Sequence, residues 1–489
     1  MQDDLRRLLN CLYKEACMKA RNPFLIGFFI LVQFIVGFPV ESRAEISCGQ
    51  TITKDTILDA DLACPVGTDY AIIIGASNIT LDLGGYTISG YTPGTGVFAN
   101  GQAGITIRNG TVDGFNFGVY INESNWVTME NLTVRNLDIS DPNHFIFGIA
   151  VVGSQNIVVR DSQFEFLTVA HKEAVEIFDS YVDVNNIEVR GGGAGVSFSF
   201  LGDACDPINS PSNGTVRNSE FSDIYVAGIW IACSSSALIE NNHFSGCPDC
   251  ILGIQGESPF LGAVTGLIVK KNIIHKTFLG IEFRGISESR ISNNYVFDNQ
   301  GWGIAMRQSL GCLAPQPGWE CFISTANVIS DNETWGNVTD LYHYEESLGN
   351  VWERNTCEWK DGSEIPDCTP PHAALVINHS SGKPSSFFTL EGANFPANST
   401  AIISINGTPL GTVPTDSFGD LVFLLNTDQA DIGYYIISAT VISAPVNPSS
   451  SVQFVLHSTK RIRSQEGQGT IFYVPGGLTH IVYLPLVRR

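Results

Sequence analysis

The phrase NITLDLGGYTISG, residues 78–90, returns in altered form along most of the chain, as ITIRNGTVDG at 105–114, VTMENLTVRN at 127–136, IVVRDSQF at 157–164 and LIVKKNIIHK at 267–276. Counted from the second residue or so of each phrase, the recurrences fall near 79, 105, 127, 157, 187, 214, 237, 267 and 289, at intervals of 22 to 30 residues. Such an interval exceeds a tight hairpin and matches one turn of a solenoid. Most intervals carry a second short apolar phrase: GVYIN (118–122), GIAVV (148–152), AVEIF (174–178), GVSFS (195–199), GIWIA (228–232), GIEFR (280–284) and GIAMR (303–307). Two or three short strands per turn, stacked on their counterparts above and below, make a parallel β-helix with its apolar side chains in ladders inside. Asn109, Asn218, Asn241, Asn242, Asn272, Asn293 and Asn294 follow the first phrases. They suit the bends, because Asn tolerates left-handed angles or bonds to its own backbone. A β-sandwich over the same residues would require antiparallel partners and shorter turns.

The 48 glycines and 22 prolines in 489 residues disfavour a helical fold. Residues 46–67, ISCGQTITKDTILDADLACPVG, read as a cap over the first turn, tied by Cys48 and Cys64; an uncovered first rung would be a sticky edge. The β-helix is expected over 45–345, with a disulfide-containing linker or C-terminal cap at 346–371. From 373 onward about seven short alternating stretches are split by Gly, Pro, Asn and Ser, which predicts an immunoglobulin-like β-sandwich over 372–459. The basic and apolar tail, 460–489, reads either as a surface-retention element or as a terminal strand.

FLIGFFILVQFIVGFPV (24–40) follows the basic MKARNP and precedes Ser42 and Ala44, the small-x-small pattern of a cleavage site. Residues 1–44 are thus an expected export signal region, and initiation at Met18 would give it the conventional form. Left uncleaved, the span is a short membrane anchor, so membrane contact is expected through this segment alone. A secreted or cell-surface location follows. The formal charge of −22, from 49 acidic against 27 basic residues, repels nucleic acid and anionic lipid and excludes a nucleic-acid partner. Ten cysteines remain beyond the signal: Cys48, Cys64, Cys205, Cys233, Cys247, Cys250, Cys312, Cys321, Cys357 and Cys368. An even number outside the cytosol favours disulfides, and proximity suggests 48–64, 312–321 and 357–368. CPDC at 247–250 lacks the βαβ surroundings of a redox pair, so a local bond or pairing with Cys205 and Cys233 is expected. Zinc is disfavoured because the histidines are not spaced with these thiols.

The Cys48…ADLACP opening, the NITLDLGGYTISG rung and the repeated G-I/V-x-apolar strands resemble the pectate-lyase-like right-handed β-helix superfamily, over roughly residues 46–340. The resemblance implies an all-β fold, a right-handed parallel β-helix followed by the small β-sandwich. It also implies polysaccharide lyases, uronan epimerases, glycoside hydrolases or inactive surface proteins as the range of activities. DPNH at 141–144 is similar to the DPHD-type motif of mannuronan epimerases at Asp141 and Pro142, while Asn143 and His144 stand where that motif has His and Asp.

Alternation along the second phrases turns their apolar positions inward and leaves an outward column. By rung it reads Tyr120 and Asn122, Ala150 and Val152, Glu176 and Phe178, Ser197 and Ser199, Trp230 and Ala232, Gly253 and Gln255, Glu282 and Arg284, Ala305 and Arg307. With rungs about 4.8 Å apart, this is a platform for a sugar chain. Tyr120, Phe178, Trp230, Gln255, Glu282 and Arg307 are the expected substrate contacts, and Arg284 and Arg307 suit a uronate or sulfate. The plainer alternative packs Trp230 beneath a loop and pairs Glu282 and Arg284 with adjacent rungs.

Lyase or epimerase chemistry needs a base for the C5 proton of a uronate and a cation for its carboxylate. His171 or Lys172 is the candidate base and Arg284 the neutraliser. Hydrolysis needs two carboxylates about 5–5.5 Å apart for retention or about 6.5–9.5 Å for inversion, which Glu176 and Asp203 supply if the loop folds over the column. Asp203 and Asp206 are the candidate ligands for Ca²⁺, a weak site with two carboxylates alone; no other cofactor is indicated. His144 and His275 read as loop and bend histidines. NXS/T triplets begin at Asn78, Asn109, Asn122, Asn131, Asn213, Asn332, Asn337, Asn378, Asn398 and Asn406. The expectation is a monomeric surface or secreted protein that grips an extracellular polysaccharide, an acidic one by the arginines, and cleaves or epimerises it. The alternatives are a non-catalytic scaffold or adhesin, and a glycoside hydrolase.

Overall fold

The computed structural model describes residues 46–91, 93–136, 145–167, 171–199, 212–232, 234, 236–246, 251–258, 264–313, 320–369, 372–379, 381–442, 448–457 and 470–477. Thirteen parallel strands, from Gln50–Ile52 to Lys360–Asp361, stack in chain order into one sheet. The other two faces of the coil are joined by Ala103–Asp113 and Asn125–Asn136, strands long enough to run across the corner between them. The result is a β-solenoid of about 10 turns, as the repeat period requires.

Its interior is built from ladders. Ile72, Val97, Val119, Ile149, Val175, Val196, Ile229, Ile254, Ile281, Ile304 and Leu341 follow one another in register, all at most 1 % exposed. Each such side chain contributes roughly 1.5–3 kcal/mol by leaving water. Opposite them Phe164, Val189, Phe221, Phe244, Ile274 and Val296 form a second ladder. The recurring glycine of the second phrases is what admits these rings. A Cβ on Gly195 would stand 2.5 Å from the Phe221 ring and one on Gly228 2.4 Å from Phe244.

The paired asparagines divide two tasks. Asn109, Asn218, Asn241 and Asn293 hold left-handed backbone angles at φ between 52° and 61°. After Asn241 and Asn293, and after the equally left-handed Lys271 and Asp331, the next residue turns inward, where the Nδ2 of Asn242, Asn272, Asn294 and Asn332 each donates to the Oδ1 of the next, Asn355 being last, at 2.9–3.0 Å. Asn294→Ala interrupts this ladder and strands the amide groups on either side, so urea unfolding is expected to show a loss of about 2–4 kcal/mol. Asn332 and Asn337, 0 % and 5 % exposed and committed to these bonds, cannot carry the glycans their triplets suggested.

Disulfides join Cys48 to Cys64, Cys312 to Cys321 and Cys357 to Cys368. Cys205, Cys233, Cys247 and Cys250, residues 1–44, where an export signal is expected, and the DPNH motif lie outside the described residues. The C-terminal module packs two sheets. One holds Ala374–Ile377, Phe387–Ala393, Leu421–Asn426 and Thr470–Tyr473; the other holds Ser381–Gly382, Ser449–Leu456, Gly433–Val441, Thr400–Ile405 and Thr408–Pro414. Phe388, Phe423, Tyr435 and Phe454 fill the space between. The strand at 470–473 comes from the stretch beyond 459, and thus from what the sequence set apart as a tail.

Candidate functional site

The outer face of the thirteen-stranded sheet carries side chains in register columns. One column runs Phe98, Tyr120, Ala150, Glu176, Ser197, Trp230, Gln255, Glu282, Ala305 and Tyr342. Beside it stand Asn122, Val152, Phe178 and Ser199, and further along Glu257, Arg284 and Arg307. Gln255 therefore neighbours Trp230 and Glu282, one position earlier than expected, and Glu257 occupies the place assigned to Gln255. The phrase LGIQGE starts its glycine at 253, and counting that glycine as an outward residue displaced the rung. A further outward column, missed in the sequence, lies just before the glycine of each second phrase, or before Ala174 in the case of Glu173: Thr95, Phe117, Phe147, Glu173, Ala194, Ala227, Leu252 and Leu279. The aromatic residue preceding the glycine in NFGVYIN and HFIFGIAVV was the available signal.

These columns create an aromatic strip over the first rungs. Ring centroids lie 4.7 Å apart between Tyr70 and Phe98, 5.4 Å between Phe98 and Tyr120, and 5.1 Å between Tyr120 and Phe117. The contacts continue through Phe117–Phe147 at 5.4 Å and Phe147–Phe178 at 6.5 Å, while Phe145 meets Phe147 at 6.2 Å and His171 at 4.7 Å. Tyr70, Phe98, Phe117, Tyr120, Phe147, Phe178 and His171 are half-buried, and Phe145 is exposed.

The strip ends on a buried carboxyl pair. Glu173 and Glu176 are 9 % and 2 % exposed, and Ser197, the ladder partner of Glu176, donates to Glu173 Oε2 at 2.9 Å. Glu176 lies within hydrogen-bonding reach of Glu173, Ser199 and Ser197, while its Oε1 has no hydrogen-bond partner among the described residues. Burial first, and the Glu173 carboxylate second, push the Glu176 pKa well above the ordinary 4.5. A buried carboxyl raised in this way beside a second carboxyl is suited to donate or accept a proton.

Lys172 does not join them. Its ladder partner is the core residue Ile146, it is 1 % exposed, and its Nζ donates to Asn136 O at 3.5 Å; consecutive strand residues face opposite sides. The base expected there is thus turned away from the outer face.

Four rungs from Glu176, about 19 Å at the strand spacing, the arginines are also committed. Arg307 Nη1 lies 2.7 Å from Glu282 Oε1 and Arg284 Nε 2.9 Å from Glu282 Oε2, with Glu282 0 % exposed and Glu257 4.0 Å from Arg284. Burial raises the Glu257 pKa, against the pull of Arg284. Arg307 also sits over the Trp302 ring at 4.7 Å, which stacks on Tyr342 at 4.6 Å. Trp230 is half-buried against Ala227, Leu252 and Leu279. Arg284, expected to neutralise a substrate carboxylate, has a protein carboxylate in that role. Asp203 and Asp206 lie outside the described residues, and no group of three metal-ligating side chains occurs among the described ones. A cavity of about 340 Å³ lies away from this face, between the β-helix and the sandwich, with His243, Tyr295, Glu333 and Leu375 in its walls.

The stacked parallel rungs define a β-helix protein. Residues 46–209 and 208–314, more than half of the chain, match the family described as "Right handed beta helix region", and the chain belongs to that family. No curated protein matches it. Among solved structures it is similar to the A-module of the Azotobacter vinelandii mannuronan C-5 epimerase AlgE6, at 13 % identity over 66 % of this chain and 88 % of that one, TM-score 0.48. It is also similar to PfbA, a surface adhesin of Streptococcus pneumoniae (14 %, 80 % and 91 %, 0.45), and to an exopolygalacturonase from Thermotoga maritima (8 %, 64 % and 78 %, 0.34).

Proposed function

We propose that this is a secreted or cell-surface glycan-binding β-helix whose aromatic strip receives a polysaccharide chain and delivers it to the Glu173–Glu176 pair. The observation that carries this reading is the unbroken series of ring contacts from Tyr70 to Phe178 on one outer face. Half-exposed rings in contact offer apolar faces that stack on sugar rings and keep their geometry without ligand. The three disulfides among the described residues suit an oxidising location.

A neutral glycan fits better than the acidic one first expected. The strip ends on carboxyls, the net charge is −22, and the two arginines of this face are held by Glu282; an anionic polymer meets repulsion at the carboxyl end. Carboxyls close enough to share a proton are also too close to flank a glycosidic oxygen, which requires about 5 Å or more.

A second, catalytic reading has one supporting feature, the burial of Glu176 beside Glu173 and the upward shift of its pKa that follows, which suits a general acid or base acting from one side of the chain. Affinity electrophoresis and calorimetry against neutral glucans, mannans and uronans test the first reading, and release of reducing ends tests the second. Phe147→Ala is expected to weaken glycan binding about tenfold, or about 1.4 kcal/mol. Binding indifferent to Phe147 and Tyr120 substitutions would remove the strip from the proposal.

A further inference from the structure

Where the β-helix meets the sandwich, a ladder of its outer face carries rings. His275, Phe297 and Trp335 follow in register, with centroids 4.9 and 4.6 Å apart. His243 approaches from the preceding turn, stacked on His275 at 5.1 Å, with the two Nε2 atoms 2.9 Å apart. Ala374, Val376 and Ala393 of the sandwich close over Phe297 and Trp335. Glu391 of the sandwich lies 3.6 Å from His275 Nδ1 and 3.3 Å from Lys276 Nζ, and His379 lies 2.5 Å from Glu220 of the β-helix.

We propose that the His243–His275 pair is an acid-released latch: the pair shares one proton in its Nε2–Nε2 contact while the sandwich covers it, and full protonation, which that buried contact does not accommodate, lets the sandwich go. The contact needs one bare nitrogen. Two imidazolium rings would each present an N–H at 2.9 Å, two positive charges against each other. His275 is 2 % exposed, and His243, half-buried as a whole, has its Nδ1 enclosed. The groups facing the pair are Glu220 and Lys276 from the β-helix and His379 and Glu391 from the sandwich.

Burial holds both imidazoles down at about 3 instead of 6.5, helped at His243 by the His275 ring and at His275 by Lys276. Released imidazoles therefore bind protons that the docked ones refuse, and docking weakens as pH falls from 6.5 toward 3. Asp298, raised to about 6 by burial and by Asp420, opposes this, as do the raised Asp420 and Glu333. They recover docking below pH 6. With both imidazoles at about 3 and Asp298 at about 6, the docked-to-released ratio falls roughly a hundredfold between pH 6.5 and 4.5, and the raised Asp420 and Glu333 reduce that fall.

The test follows the full chain by hydrogen exchange and small-angle scattering across that range. Rate-corrected protection of the Ala374–Ile377 amides is expected to fall about tenfold or more and the particle to extend, while amides around Val175 stay protected. His243→Phe with His275→Phe keeps the ring stack and is expected to abolish the fall. Since that variant can fail to fold, ¹³C titration of the native imidazoles gives a second measurement. Midpoints above 6 for both rings, undiminished protection at pH 4.5, or an equal fall in the variant would each overturn the latch.

Discussion

Glu176→Gln is expected to make the protein more stable at neutral and alkaline pH, by about 2–4 °C in melting temperature for roughly 1 kcal/mol. The folded protein holds on Glu176 a proton that the unfolded chain releases above its ordinary carboxyl pKa of 4.5. Stability therefore falls as pH rises from that value toward the raised folded one, and the loss persists above it. Gln keeps the shape and donor of the protonated acid without the ionisation. The gain should shrink below pH 4.5, where wild type and variant both fold with a neutral group. If the catalytic reading holds, the same change removes about 10²-fold or more of turnover while binding along the rings persists. A variant less stable than wild type at pH 8 would mean that Glu176 is ionised in the folded protein.

Glu282→Ala is expected to cost about 2–4 kcal/mol in denaturant unfolding, the penalty for leaving two half-buried cations with only Glu257 near Arg284. Arg284 and Arg307 are only 19 % and 21 % exposed and converge on a carboxylate that solvent does not reach. Removing Glu282 leaves two guanidinium groups facing each other across adjacent rungs. Replacing all three together by Glu282→Leu, Arg284→Met and Arg307→Met should be near neutral, since the desolvation cost disappears with the attraction. Equal losses in the single and triple variants would show that the cluster acts through packing alone.

The repeat period was legible because each turn must bury one inward residue from each phrase, and Val119, Val175 and Ile229 do so at 0 % exposure. Outward columns were legible where alternation is strict, hence Tyr120, Glu176 and Trp230 on one line. Alternation failed at the glycine position, which the ladder pairing passes over between Phe147–Glu173 and Ile149–Val175. Phe117 and Phe147 were lost from view there, Glu173 was read as a loop companion of His171, Lys172 and Glu176 rather than as part of an outward column, and Gln255 was set one place too late. Lys172 looked like a companion of Glu176 because the two are near in number, but the pleat turns it inward beside Ile146.

The order of residues alone decided that the chain coils in parallel turns with Ile, Val and Phe inside, since a period of 22 to 30 residues with short apolar phrases has few other ways to leave water. It could not decide which charged groups are free. Whether Arg284 meets a ligand or Glu282, and whether Glu176 keeps its proton beside Glu173, depends on close approaches, 2.7 and 2.9 Å at Glu282, between residues of adjacent turns or two to three positions apart on one strand. Coulombic and desolvation energies change steeply over such distances, and only the stacked structure sets them.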